Sequence, residues 1–279
     1  MNGLSLCSGV GGMELGIKLA VGDDYRTVAY VEREAFPASI LVARMEDAAM
    51  DRAPIADDLS TFDGVPYRGL VDLVTVGLPC QPYSLAGSQK GHADERALWP
   101  QFVRIVRECE PGAVFIENVP AFRKHFEPVW RHLRELGFVW APPLLSTASE
   151  SGAPHIRERF FALAAHPERI EFLVDPDERA PGPIGDPSTD SNGGGLNRQW
   201  CGWVFDGERE TLRHDAYRCG YGCRIRGTLW DAESAPVRVY ARAAGYVDRL
   251  RAIGNVGTPP VVYARAFLTL AERLKEVNR

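Results

Sequence analysis

The chain has 279 residues, with 32 Lys+Arg against 37 Asp+Glu and a formal net charge of −5. This length predicts one large domain, or one with a smaller partner. Hydrophobic residues make up 45% and charged residues 25%, which is enough apolar material for a core and excludes disorder as a description of the whole chain.

In chain order, Leu4–Cys7 is a strand candidate ending in the glycine-rich Ser8-Gly9-Val10-Gly11-Gly12, and a helix follows over about Met13–Val21. Thr27–Val31 reads as a strand, Ala35–Ala48 as a helix and Val71–Val76 as a third strand. A long loop runs from Gly77 to about Asp94. A helix is expected near Leu98–Glu108, a strand at Ala113–Ile116, a helix over Ala121–Leu136, then strands at Phe138–Leu145 and Phe160–Ala164. Strands alternating with helices predict an α/β fold with a largely parallel sheet.

The pattern then breaks. Val174–Asn197 holds four prolines and five glycines and reads as a linker or long loop. Arg198–Tyr246 has short aromatic fragments among arginines and suggests a small, loop-rich second domain. From Arg198 to Arg251 there are ten arginines against seven acidic residues, a basic stretch in an acidic chain. Arginine suits bidentate contacts to phosphate and guanine. Tyr246–Ile253 looks helical, Gly254–Pro260 breaks it, and Val261–Val277 is an amphipathic helix expected to pack back on the first domain.

No apolar run approaches the roughly 20 residues a membrane helix needs. The start lacks the pattern of a signal peptide. The six cysteines (Cys7, Cys80, Cys109, Cys201, Cys219 and Cys223) are irregularly spaced, which fits a reducing cytoplasm. Cys219 and Cys223 have no second Cys/His pair at finger spacing, so no metal is expected.

Four sites could carry chemistry. Gly9, Gly11 and Gly12 sit between a strand and a helix, where glycine permits a tight turn and close approach to a ligand. Glu32 follows Gly12 by 20 residues at the end of the second strand, where an acid commonly binds the ribose hydroxyls of an adenosine-containing cofactor. On these residues alone, NAD and S-adenosylmethionine are both open. Gly77-Leu78-Pro79-Cys80-Gln81-Pro82-Tyr83-Ser84 follows the third strand, at the strand-end edge where open α/β sheets bind ligands. A cysteine there, between two prolines, is placed to act as a nucleophile. Ile116-Glu117-Asn118-Val119-Pro120 ends the next strand at the same edge. Glu117 interrupts an apolar run, so desolvation should raise its pKa and suit it to proton donation; read alone, it is as easily a carboxylate opening a helix. His155-Ile156-Arg157-Glu158-Arg159 leads into a strand, and alternation would put His155, Arg157 and Arg159 on one face.

Together these pieces resemble the cytosine-5 DNA methyltransferases. The resemblance rests on Gly9–Gly12, Glu32, Asp58, Pro79-Cys80-Gln81, Glu117-Asn118-Val119, the His-x-Arg-x-Arg run at 155–159 and Gly254-Asn255, in the family's order. A Pro-Cys-Gln loop followed 37 residues later by Glu-Asn-Val is highly specific and sets the NAD reading aside.

The resemblance implies a Rossmann-like S-adenosylmethionine-dependent methyltransferase domain with a mostly parallel sheet, spanning 1–165 plus 252–279. It implies a small loop-rich target-recognition domain over 166–251. Gly9, Gly11, Gly12, Glu32, Asp58 (or Asp57 if the register slips), Pro79 and Asn255 would hold the cofactor. Cys80 would be the nucleophile and Glu117 the acid, with Arg159 on the cytosine carbonyl and Arg157 in support. Gln81, Ser84, Arg96, Asn118 and Val119 would meet the substrate, and the loop Gln81–Asp94 would close over a flipped base. The implied partner is double-stranded DNA, met by a monomer without membrane or metal; a cognate restriction endonuclease as companion on the same site and a solitary or phage enzyme are both open. Substitution of tRNA for DNA, a catalytically silent DNA-binding relative, and a cysteine-dependent oxidoreductase are the competing readings. The chain departs from the usual family pattern at Ser5 (usually Asp), Cys7 (usually Phe), Tyr83 (usually Phe), His155 (usually Gln) and Val256 (usually Ser or Ala). None of these removes a catalytic group.

Overall fold

The computed structural model describes residues 1–78, 98–151, 157–173, 203–206, 211–214 and 258–278, with 203–206 and 211–214 described by backbone alone. In chain order the main elements are β1 (Asn2–Leu6), α1 (Gly12–Val21), β2 (Arg26–Val31), α2 (Ala35–Glu46), β3 (Ile55–Ala56), β4 (Leu73–Gly77), α3 (Trp99–Cys109), β5 (Ala113–Asn118), α4 (Phe126–Glu135), β6 (Val139–Trp140), β7 (Leu144–Ser146), β8 (Arg159–Ala165) and α5 (Pro260–Val277). The segments Trp203–Asp206 and Thr211–His214 pair antiparallel with each other. The expected linker Val174–Asn197, most of the loop Gly77–Asp94, the helix Tyr246–Ile253 and the rest of Arg198–Tyr246 lie outside the described residues.

One sheet runs β3-β2-β1-β4-β5-β8-β6, with β7 also paired to β8. The pairs from β3 through β5 are parallel, while β8 runs against β5. The expectation of a largely parallel sheet therefore holds, and the chain order reverses between β1 and β4. In doubly wound sheets such a reversal opens a crevice at the carboxyl ends of the strands.

The central strands are apolar on both sides because both are covered. Leu4, Leu6, Val74, Val76, Val114 and Ile116 face α3 and α4 through Phe102, Val106, Val129 and Leu133. Leu73, Phe115, Phe161 and Leu163 face α1 and α5 through Met13, Ile17, Phe267 and Leu270. Pro260 opens α5, at a position where its missing N–H costs nothing. Buried Val262, Tyr263, Ala266, Phe267, Leu270, Ala271 and Leu274 recur at helical spacing and dock α5 on α1 and the sheet. The C-terminal helix thus packs on the first domain as its amphipathic pattern predicts. Residues Pro167–Phe172 form a 3-10 segment whose Ile170 joins the same apolar layer.

Two elements differ from the sequence expectation. The helix expected over 121–136 is a 3-10 segment at Pro120–His125 followed by α4. Pro120 fixes the entry, and Phe122 and Phe126 both pack on Phe160, with centroids 5.6 and 5.0 Å away. The strand expected over 138–145 is split into β6 and β7. Pro142 and Pro143 lie between them, and proline cannot donate to a ladder.

Candidate active site

Both parts of the candidate site lie at the carboxyl-end edge of the sheet. The first part is the turn from β1 into α1. Gly9 and Gly11 have φ of 56° and 82°, the left-handed region open to glycine. Ser8 N donates to Val31 O at 3.1 Å and Gly11 N to Ser8 O at 2.9 Å, which closes the turn. Arg44 from α2 reaches over and donates from Nη1 to Val10 O at 2.5 Å. The loop is therefore held from both β2 and α2.

Glu32 stands just past β2 and is buried. Its Oε2 accepts from Gly9 N at 2.6 Å and its Oε1 from Glu34 N at 2.8 Å. Burial pushes its pKa up, against the pull of these amides. The Arg33 backbone amide bonds the carboxylate as well, and two oxygens with two lone pairs each still leave acceptor capacity for a sugar hydroxyl. Asp58 lies beyond β3 in a turn, where its Oδ1 accepts from both the backbone N and the hydroxyl of Ser60 at 2.7 Å. Those hydrogen bonds hold its pKa below the ordinary value. A glycine turn, a buried carboxylate with acceptor capacity left, and a second carboxylate held ionised fit the ribose and adenine of S-adenosylmethionine. Cys7, in the left-handed region at φ 53°, follows β1 at the start of the glycine turn. Burial and the nearby Glu32 push its thiol up to about 12, so it stays a neutral thiol.

The second part is where β4, β5 and β8 meet. Gly77 pairs with Glu117 in parallel register, and Glu117 sits opposite Phe161 in antiparallel register. Arg159 Nε lies 2.9 Å from Glu117 Oε1, and both side chains are largely buried. Arg159 Nη1 also donates to Glu158 O at 2.8 Å. Burial drives the Glu117 pKa up, and the charges of Arg159 and then Arg157 oppose it. The sequence expectation of a desolvated acid at this strand end therefore holds. Arg157 lies two residues before Arg159, where Ala148 N donates to Arg157 O at 3.2 Å and continues the register in which Ser146 pairs with Arg159; both arginines act on Glu117.

Asn118 is buried, donates from Nδ2 to Leu78 O at 3.5 Å and accepts from Val119 N at 2.8 Å. It ties the end of β5 to the chain leaving β4. A Cβ on Gly77 would sit 3.6 Å from Glu117 Oε2, so the two strand ends stand side by side. Pro79, Cys80, Gln81, Ser84, Arg96, His155 and Asn255 lie outside the described residues.

The sequence reading missed three contributors. Arg44 had no signal beyond its place on a helix. Tyr263, hydrogen-bonded to the Thr258 side chain, has its hydroxyl pKa raised by burial and by the Glu117 carboxylate. Glu14 is a buried acid in the first turn of α1; a charge on the apolar side of that helix was the available clue.

The family model described as C-5 cytosine-specific DNA methylase matches residues 1–190. Type II methyltransferase M.NgoMIV of Neisseria gonorrhoeae is 32% identical over 190 residues, covering 66% of this chain and 58% of that protein. Type II methyltransferase M.AluI of Cellulosimicrobium cellulans is 32% identical over 195 residues, covering 64% of this chain and 35% of that protein. The chain thus spans less than two thirds of the length of these curated relatives. A crystal structure of a Spodoptera frugiperda DNMT2 mutant shares the fold at 16% identity, with a TM-score of 0.52 and coverage of 99% of this chain and 97% of that one. Among the described residues no helix is long and apolar enough to cross a membrane, and no cluster of three potential metal ligands occurs.

Proposed function

The chain belongs to the C-5 cytosine-specific DNA methylase family, and from that membership we propose that it methylates carbon 5 of a cytosine flipped out of duplex DNA, with S-adenosylmethionine as donor and Cys80 as nucleophile. The observation that carries this reading is the buried Glu117–Arg159 pair at the strand edge that continues into the Cys80 loop.

Carbon 5 of cytosine is a weak nucleophile. Attack of the Cys80 thiolate on carbon 6 forms a C–S bond and pushes the electron pair of the 5,6 double bond into the ring. Glu117 gives a proton to ring nitrogen 3, and its raised pKa keeps that proton available. Arg159 holds Glu117 through Nε and has further N–H donors for the ring carbonyl. When bound, S-adenosylmethionine supplies an electrophilic methyl group on a sulfonium sulfur. Methylation leaves a thioether by-product. Loss of the carbon 5 proton to solvent, expulsion of the Cys80 thiolate and return of the nitrogen 3 proton to Glu117 then restore the neutral aromatic ring and the free acid. A free thiol near pKa 8.5 is only a few per cent thiolate at neutral pH, so the site must activate Cys80. Flipping exposes both faces of the ring and costs a few kcal/mol, offset by contacts in the pocket.

Gly9, Gly11, Gly12, Glu32, Asp58, Pro79 and Asn255 hold the cofactor in this reading. Gln81, Ser84, Arg96, Asn118 and Val119 line the base, Arg157 supports Arg159, and residues 166–251 read the target. The protein acts as a monomer in the cytoplasm, alongside an endonuclease of the same specificity.

The test is transfer of labelled methyl to duplex DNA and, in parallel, to tRNA, by the wild type and by Cys80→Ser. Label on DNA that vanishes in the variant supports the reading. Label on tRNA alone, or full activity of Cys80→Ser, overturns it. Bisulfite sequencing of DNA from expressing cells would then give the target site.

A further inference from the structure

Glu14 lies on the first turn of α1, yet it points onto the sheet and is only 3% exposed. Ser5 of β1 and Thr75 of β4 are partners in the parallel register beneath it, on the sheet face that α1 covers. Thr75 Oγ1 donates to Glu14 Oε1 at 2.7 Å. Ser5 also hydrogen-bonds the carboxyl, and its hydroxyl lies 2.8 Å from Ser8 Oγ as donor. Ser8 in turn donates toward the carbonyls of Ser5 at 3.1 Å and Val31 at 3.3 Å. These contacts link β4, α1, β1 and the first residue of the glycine turn.

Among the described residues Glu14 Oε2 is buried with no hydrogen-bond partner, which an ionised oxygen tolerates poorly. Burial is the larger influence and raises the Glu14 pKa, while the hydrogen bonds from Ser5 and Thr75 favour the carboxylate and oppose it.

We propose that Glu14 is a positioning residue which, buried under α1 and bonded to Ser5 and Thr75, holds the Ser8–Gly12 turn in the shape that binds the cofactor. The inference rests on the functional reading above for the identity of the cofactor. It adds a residue that touches neither cofactor nor substrate.

Two measurements test it on the full chain. The first is S-adenosylmethionine affinity by calorimetry, with kcat and KM for the donor. The second is amide hydrogen exchange of Gly9 and Gly11 without cofactor. Glu14→Ala and Thr75→Val are expected to weaken affinity about tenfold, as loss of a buried hydrogen bond does. KM should rise with it, kcat at saturation should stay within twofold, and exchange in the turn should quicken. Glu14→Gln keeps an acceptor oxygen for Thr75 and a polar group beside Ser5, so it should bind within threefold of wild type. Wild-type affinity and unchanged exchange in Thr75→Val would overturn the proposal, even if Glu14→Ala does not fold. So would a Glu14→Gln variant as weak as Glu14→Ala. A wild type that binds no S-adenosylmethionine defeats the functional reading instead, and the exchange measurement still decides the role of Glu14.

Discussion

Arg159 and Glu117 meet at 2.9 Å although 42 positions separate them, because β8 turns back against β5 and brings its first residue to the end where β5 finishes. A parallel β8 would put Arg159 at the opposite edge of the sheet. The antiparallel strand thus completes the acid site, and the partner charge keeps a buried carboxyl from being neutral at every working pH.

Glu117→Gln keeps the shape and removes the proton. Methyl transfer should fall by about 10²- to 10⁴-fold, the usual span for a general acid, while DNA affinity changes little. Arg159→Gln removes a charge that lowers the Glu117 pKa, so the pKa should rise further. In pH–rate profiles, the limb reporting Glu117 should move to higher pH. A limb that stays in place would separate Glu117 from the acid role.

Gly16 lies where α1 and α5 pack tightly against each other. A Cβ there would meet Tyr263 Cβ at 2.4 Å and Pro260 O at 2.6 Å, and the latter is backbone that cannot swing aside. Gly16→Ala should therefore destabilise the fold by about 1–3 kcal/mol. This outweighs the ~1 kcal/mol of helix propensity that alanine gains over glycine. Chemical denaturation measures the difference.

Gly11 presents two separable costs. Its φ of 82° disfavours any side chain, and a Cβ would also meet Met50 Cε at 2.2 Å. The thioether end can move, whereas the backbone angle cannot. Gly11→Ala should lose about 1–2 kcal/mol from the left-handed conformation alone. Pairing it with Met50→Ala should relieve the contact and leave the conformational part in the melting curve.

Glu14 gives a pH signature. Its folded pKa lies above the unfolded value of 4.5, so its contribution is fully present below that value and is lost as pH rises through the folded pKa. Gln has no such proton. The stability of Glu14→Gln relative to wild type should therefore increase from about pH 4.5 upward. Tyr25 and Tyr30 face Glu14, but both are shifted above the ordinary tyrosine range and do not titrate in that window. Denaturation at a series of pH values checks this, and a flat difference would mean that Glu14 is ionised in the folded state.

Local chemistry was legible along the chain. The glycine turn, Glu32 twenty residues on and Glu117 at a strand end depend on spacing and residue type, and the structure puts all three at one edge of the sheet. Strand ends shifted by a residue or two, as with β4 at Leu73–Gly77 against the expected Val71–Val76, because ladder pairing rather than hydropathy sets where a strand stops. The break between β6 and β7 was written in Pro142-Pro143, but an apolar run on either side hid it.

What the sequence determined by itself was the set of reactive groups and the alternation of strand and helix, since both follow from residue types at short separations. What only the tertiary structure decided was which of these groups share an environment. The reversal at β8 joins Arg159 to Glu117, and the docking of α1 seals Glu14 over Ser5 and Thr75. The apolar run around Glu117 announced its burial, but its partner Arg159 comes from contacts between residues far apart in the chain, which no local pattern encodes.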